Sequence, residues 1–473
     1  MPHRVSLCLI AKNEAHRLPT CLGSVADLVH ESIVVDTGST DATKQVAMSH
    51  GAKVFDFPWR DDFAVARNES IRHATGEWIF WLDCDHWIDE ENRQRLARLF
   101  TGLQDENVGY LMKWRSPSDE AGSQATLHDA TQLFRNDPRI RWQYRIHEQI
   151  RPAIQLAGGE TRWTDVVINH SGYQNQEEKF KKLERNLRLL LLEDAEHPND
   201  SVMLFHLGWT YYLMGRPAEA FGPLERSLAL AQRGETTVRK TYALLVRCKR
   251  QLGQQMDAIT ICLNGRTHFP NDPELLFHEG QLRREGGDLP GAEAALVKLL
   301  NVPDETYILA SVDPGLKGYK GRCALAEVYR DQGKLADAER EWRAALTEQP
   351  DFTVAWLCLG DMWLQHNRFA DVEKLATQLE ADPKTSIDGA LLRARMLMIR
   401  KDFPATKKLL SETIARAPKA PWPRELLAHA LLMEGRDTPA LVQALRDLLV
   451  LDPTNSFALA NLPPAQQKLQ TSK

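Results

Sequence analysis

The 473-residue chain lacks several features that would narrow its function at once. It has only seven cysteines, Cys8, Cys21, Cys84, Cys248, Cys262, Cys323 and Cys358, odd in number and scattered. None forms a Cys-x-x-Cys or zinc-like pattern. That excludes a disulfide framework and a zinc module, and predicts reduced thiols in a cytoplasmic protein. No run approaches the ~20 apolar residues of a membrane span, and the strand-like Val5–Ile10 segment is too short for a leader. Peripheral contact at the inner face of a membrane stays open. Positive charge is not in excess either. The net charge is −5; residues 1–175 hold 19 Lys and Arg against 24 Asp and Glu, and the remainder holds 40 of each. A nucleic-acid partner therefore gets no electrostatic support. What remains, 43% apolar and 26% charged residues, fits a globular protein of two or three domains.

The first third alternates strands and helices. Strands are expected at 5–10, 32–35, 53–57 and 78–82, with helices over 42–50 and 63–75. Ser39-Thr40-Asp41 supplies N-cap chemistry for the first helix and Gly51 ends it; Asp61 or Asp62 caps the second and Gly76 ends it. Such alternation predicts a mostly parallel α/β sheet covered by helices, with ligands beyond the carboxyl ends of its strands. From about 176 the strand signals vanish, and residues repeat with a period of about 34. Repeats start at 201, 239, 273, 319, 353, 387 and 421, with an inserted loop around 301–318. In the fourth, Tyr329, Ala338, Trp342, Ala345 and Pro350 occupy the marker positions. Gly208 with Tyr211, and Gly360 with Trp363, repeat a small-then-aromatic step. Ala220, Ala258, Ala292 and Ala440 recur where paired helices cross. Pro270, Pro350 and Pro418 stop the second helix of a pair. The pattern resembles tetratricopeptide repeats, helix pairs stacked into a superhelix. The expected division is 1–175, a linker helix over 176–200, and 201–473 with about seven repeats and a C-terminal cap.

Asp83-Cys84-Asp85 carries the most chemical information. It closes the apolar strand Trp78-Ile79-Phe80-Trp81-Leu82. Two carboxylates at a buried strand end are costly alone and make sense facing a cation, with oxygen ligands suited to Mg²⁺ or Mn²⁺. Asp36 ends the second strand, where its carboxylate can accept the N3–H of a uracil ring. Asn13 and Glu14 follow the first strand, and Glu14 reads equally well as a first-turn acid favoured by the helix dipole. Arg67, in Ala66-Arg67-Asn68, is either a surface charge or a phosphate contact. Between Arg135 and Arg151 lie five arginines, a residue type whose fork suits phosphate oxygens. His147-Glu148 lies in that run, and Asn169-His170-Ser171-Gly172-Tyr173 closes the domain.

Four ordered segments together resemble family-2 glycosyltransferases of the GT-A fold: Cys8–Glu14, Ile33–Asp41, Ala66–Asn68 and Trp81–Asp85. The resemblance covers about 4–175, and its nearest subgroup includes lipopolysaccharide-core glucosyltransferases and bacteriocin peptide S-glycosyltransferases. It implies a nucleotide-sugar donor, a UDP-sugar, bound by Ala11, Asn13, Glu14, Asp36, Arg67, Asp83 and Cys84. It implies Mn²⁺ or Mg²⁺ on Asp85, with Asp83 on ribose or metal and His170 as a further ligand or phosphate contact. An inverting transfer needs a base to take the acceptor's proton; Glu148 is expected in that role, with His147 the other candidate. The acceptor is a glycan, a lipid-linked glycan or a peptide, and the repeats would bind acceptor, a protein partner or a second copy. The rival reading is a non-catalytic repeat scaffold with a degenerate sugar-nucleotide domain. A nucleotidyltransferase would show a Gly-rich loop after its first strand, which Ala11-Lys12-Asn13-Glu14 is not.

Overall fold

The computed structural model describes residues 3–116, 126–170, 176–231, 237–303 and 313–471. Half of the inserted loop at 301–318 and Ser171-Gly172-Tyr173 lie outside them. The chain forms two compact units, Met1–Lys317 and Gly318–Lys473.

The first unit opens with β1 (Val5–Ala11), α1 (Leu18–Gly23), β2 (Glu31–Asp36), α2 (Thr43–Ser49), β3 (Lys53–Asp56), α3 (Phe63–Arg72) and β4 (Trp78–Trp81). After these come β5 (His86–Trp87), α4 (Glu90–Thr101), β6 (Val108–Ser116), β7 (Thr126–Arg135), α5 (Arg151–Leu156) and β8 (Glu160–His170). The eight strands make one sheet in the order β3-β2-β1-β4-β7-β6-β8-β5. Strands β1 to β4 are mutually parallel, but β7 joins β4 antiparallel and β6 joins β7 antiparallel. β8 joins β6 parallel and β5 joins β8 antiparallel, so four of the seven pairings are parallel, and the sheet is mixed but mostly parallel, as the alternation predicted. Strand alternation along β1 feeds two cores. Leu7 and Leu9 pack with Leu22, Phe100 and Ile168 on one face, while Cys8 joins Ile33, Ile71, Trp81 and Trp142 on the other.

The caps follow local chemistry. Asp62 accepts from Val65 N at 2.9 Å and starts α3. Gly76 does not end that helix, which stops at Arg72. It sits instead where a Cβ would lie 2.7–2.8 Å from Ser6 Oγ and the backbone of Arg4 and Ser6, so only glycine allows this approach to β1.

The helical part of this unit begins with α6 (Gln176–Glu196) and continues as pairs: α7 (Ser201–Leu213) with α8 (Pro217–Leu230), α9 (Thr237–Gln251) with α10 (Gln255–His268), and α11 (Pro273–Glu285) with α12 (Leu289–Leu300). A short 3₁₀ turn, Pro314–Lys317, follows. In α6, Leu189 and Leu190 pack against Ile146, Met203 and Leu207, so the helix is seated on the loop before α5.

The second unit holds four pairs: α13 (Tyr319–Asp331) with α14 (Leu335–Glu348), α15 (Thr353–Gln365) with α16 (Phe369–Glu380), α17 (Ser386–Ile399) with α18 (Phe403–Arg416), and α19 (Pro421–Glu434) with α20 (Thr438–Leu451); α21 (Ser456–Thr471) closes it. Pair starts fall within two residues of the expected repeat starts in both units. Ala338, Trp342 and Ala345 are fully buried in the second unit's main cluster, which is why the repeat keeps them.

Candidate active site

The carboxyl ends of β1, β2 and β4 share one edge: Ala11 pairs with Asp36 and Cys8 with Trp81. The loops beyond them are laced together. Asn13, at φ 58°, accepts from Thr40 N at 2.8 Å, and its own N–H donates to Ser39 Oγ at 2.9 Å. Glu14 N donates to Thr43 Oγ1 at 2.8 Å. The Glu14 carboxyl pairs with Arg17 at 3.1 Å; burial raises it and Arg17 opposes the rise. Thr37 N and Oγ1 both donate to the Ala11 carbonyl. Asp36 is 2% exposed. Its Oδ2 accepts from Gly38 N and Ser39 N at 3.1 and 2.9 Å, so one oxygen serves the turn. Its Oδ1 is buried with no partner, an acceptor held ready for a donor from outside the chain.

Arg67 is no surface charge: it is 6% exposed, packed over Trp81 (4.1 Å) and Trp142 (5.3 Å). Its Nε donates to Glu148 Oε1 at 2.5 Å and its Nη2 to Asp83 Oδ1 at 2.8 Å. Burial disfavours the guanidinium's charge, but Asp83 and Glu148 outweigh that and raise its pKa. Arg67 thus joins two acids 65 residues apart in sequence, and both ends of its fork are engaged by carboxylates. Cys84 is buried and donates to Ile10 O at 3.3 Å.

The second acid of the pair goes elsewhere. Asp85, His86 and His170 bring one candidate ligand atom each within 4.8 Å of one another. Asp85 Oδ2 lies 3.0 Å from His170 Nε2. Burial pushes the Asp85 carboxyl up, but His170, His86 and Lys182 outweigh it and hold it at about 2. Ser116 Oγ lies 3.1 Å from His170 Nδ1. That contact fixes the ring with Nε2 toward Asp85, an arrangement metal-binding histidines use. Asp83, expected on ribose or metal, is not part of this group; Arg67 holds its carboxylate. His86 is inside it. Its Nδ1 accepts from Asp83 N at 3.2 Å, which puts the neutral ring's proton on Nε2. That Nε2 is buried and finds no hydrogen-bond partner among the described residues. Two hydrogen-bonding atoms from different strands, Asp36 Oδ1 and His86 Nε2, are thus left unsatisfied along one edge.

His147 takes φ 53° and lies flat on His206 of α7, centroids 3.9 Å apart. Burial, with Lys182 and Arg185 nearby, pulls its pKa down to about 4. Nothing in the sequence signalled the His206 partner, 59 residues away and in the first repeat. The arginine run is mostly structural: Arg135 pairs with Asp105, Arg139 with Asp137, and Arg145 with Glu196, while Arg141 donates to the Asp137 and Ile140 carbonyls.

A GT-A domain with acids gathered beyond its strand ends, followed by stacked helix pairs, defines a glycosyltransferase carrying tetratricopeptide repeats. Residues 6–156 match the family described as Glycosyl transferase family 2, and 206–234 and 323–384 match tetratricopeptide repeats. The chain is 32% identical over 363 residues to a TPR repeat-containing protein of Synechococcus elongatus, covering 73% of this chain and 76% of that one. It is 28% identical over 233 residues to the SPbeta prophage-derived glycosyltransferase SunS of Bacillus subtilis, covering 46% and 52%. It is 32% identical over 111 residues to an uncharacterized glycosyltransferase of Rickettsia felis, covering 23% and 39%. The chain thus spans about half the length of the Bacillus relative. It belongs to glycosyltransferase family 2, with tetratricopeptide repeats after the transferase domain. Among the described residues, no helix is long and apolar enough to cross a membrane.

Proposed function

We propose that the chain is a metal-dependent, inverting glycosyltransferase that moves a sugar from a UDP-sugar to a glycan, lipid-linked or peptide acceptor. The convergence of Asp85, His86 and His170 at the strand edge carries this reading. Asp85 and His170 suit Mn²⁺ or Mg²⁺ through one carboxylate and one oriented imidazole, with further positions left to phosphate oxygens and water. A divalent ion there would supply charge neutralisation for the departing diphosphate. The rest is the chain's own chemistry. Asp36 Oδ1 accepts the uracil N3–H, and Ala11, Asn13, Glu14 and Cys84 shape the loops around the nucleoside. Asp83, fixed by Arg67, meets the ribose hydroxyls. His86 Nε2–H donates to a phosphate oxygen. Glu148 is the base: Arg67 Nε fixes its Oε1, and Oε2 takes the acceptor's proton. His147 is the weaker candidate, since its ring is stacked flat on His206. The repeats offer a surface for the acceptor, a protein partner or a second copy. Replacing Asp85 tests the site. Asp85→Asn should lower UDP-sugar turnover by two orders of magnitude or more and remove its dependence on Mn²⁺. Wild-type turnover that survives in the variant, or that ignores chelator in both, would refute it.

A further inference from the structure

We infer that Lys182 of α6 is a phosphate-binding residue of the donor site, meeting the diphosphate of the nucleotide sugar from outside the transferase sheet. This rests on the donor-site reading above.

Chain connectivity comes first. β8 ends at His170, which faces Asp85, and α6 begins at Gln176. The intervening residues span at most ~20 Å even when extended. The N-terminal half of α6 therefore lies within reach of the Asp85 corner. Helix periodicity then selects the residue. One stripe of α6 is buried: Asn186, Leu189, Leu190 and Glu193. Glu193 Oε2 accepts from Arg145 N at 2.8 Å, and Leu189 and Leu190 pack on Ile146. The stripe thus follows the loop that continues into His147 and Glu148. Lys182 occupies the same stripe one turn before Asn186, at four and seven residues from Asn186 and Leu189. Arg185, beside it, lies over the Phe63 ring at 5.1 Å and donates to Asn186. The electrostatics agree: Lys182 is among the charges acting on both Asp85 and His147, which come from separate parts of the chain.

The corner also needs a cation. Asp36, Asp83, Asp85 and Glu148 line it, while the Arg67 fork is engaged by two of them. A diphosphate entering there adds negative charge where Arg67 is already balanced by two carboxylates. A flexible ammonium is suited to that task, since it follows phosphate oxygens as a point charge.

Calorimetry on the full chain with Mn²⁺ present, titrating UDP and, separately, uridine, tests this. Lys182→Met should weaken UDP binding about tenfold and leave uridine binding unchanged, and Lys182→Arg should keep most of the UDP affinity. Unchanged UDP binding by Lys182→Met overturns the assignment, and so does equal weakening of UDP and uridine, which would mark a structural role. A wild-type chain that binds neither ligand brings down the donor-site reading itself, and Lys182 with it.

Discussion

Arg67 shows how one residue can set the geometry of a site by holding two of its acids in place. Its fork joins Asp83 to Glu148 and its flat face lies on two indoles. The Glu148 pair is nearly buried, while Asp83 is 33% exposed, so removing the cation strands one carboxylate, Glu148, in a poorly solvated place. Breaking a buried pair from one side costs ~3–5 kcal/mol. Arg67→Leu should lose about that much in urea unfolding and lose turnover. Arg67→Lys should recover part of the stability, since it restores charge, but not turnover, since a single ammonium cannot hold both acids in place. A lysine variant with normal turnover would show that the bidentate geometry does not matter. Sequence alone left this residue between surface charge and phosphate contact, because both partners are distant in the chain and a single arginine on a helix carries no mark of burial. His86 escaped for a different reason. Its role depends on which ring nitrogen the Asp83 amide occupies, a detail no residue pattern encodes.

At the scale of elements, what was legible was what is locally periodic. Strands β1 to β4 are mostly apolar runs, with Asp36 and Asp56 ending β2 and β3 and Asp83 following β4, as buried parallel strands are. The helix pairs announce themselves by their repeat. Strands β6 to β8 mix Lys, Arg, Thr and Asp with apolar residues. They form because they pair with one another and with β4, so no local signal gave them away. The repeat's small positions make a sharper test. In α7, a Cβ on Gly208 would lie 2.5 Å from Leu224 Cγ and 3.0 Å from the Ala220 carbonyl oxygen, the second of which cannot swing aside. Gly23, at the end of α1, meets nothing within 4 Å and has no positive φ. Alanine gains up to ~1 kcal/mol over glycine in a helix, while overpacking costs ~1–3 kcal/mol. Gly208→Ala should therefore destabilise by about 1–2 kcal/mol, and Gly23→Ala should be neutral or stabilise by a few tenths. Chemical denaturation of the two single variants decides it: equal effects would mean that the helix crossing at Gly208 is not tight.

For the whole molecule, acid stability depends on histidines more than on the many surface ion pairs, each of which is worth little. Five imidazoles are held below their ordinary range, with burial the leading cause in each: His86, His147 at about 4, His206, His278 at about 3, and His429. Four of them lie in Met1–Lys317. Three carboxyls in each unit, Glu14, Asp129 and Asp272 in the first and Asp361, Glu380 and Asp388 in the second, are raised by burial and act in the opposite sense. Those sets are equal in number, so the histidine imbalance decides between the units. The sign is fixed by linkage. Unfolded histidines take up protons near pH 6.5 and the folded ones do so only at lower pH. Between about pH 6.5 and 4 the unfolded state therefore binds more protons, and stability falls as acid is added, by up to ~1.4 kcal/mol for each unit of depression. The urea midpoint of the 1–317 segment should drop clearly from pH 7 to pH 5, and that of 318–473 should drop less. Pulse-labelling hydrogen exchange after equilibration in urea, with the pulse always at one pH, resolves the two segments. A midpoint for 1–317 that holds or rises on acidification would mean that these rings are open to water and protonate freely. In that case the flat His147–His206 contact would carry two like charges at pH 5 and could not keep its stacked geometry there.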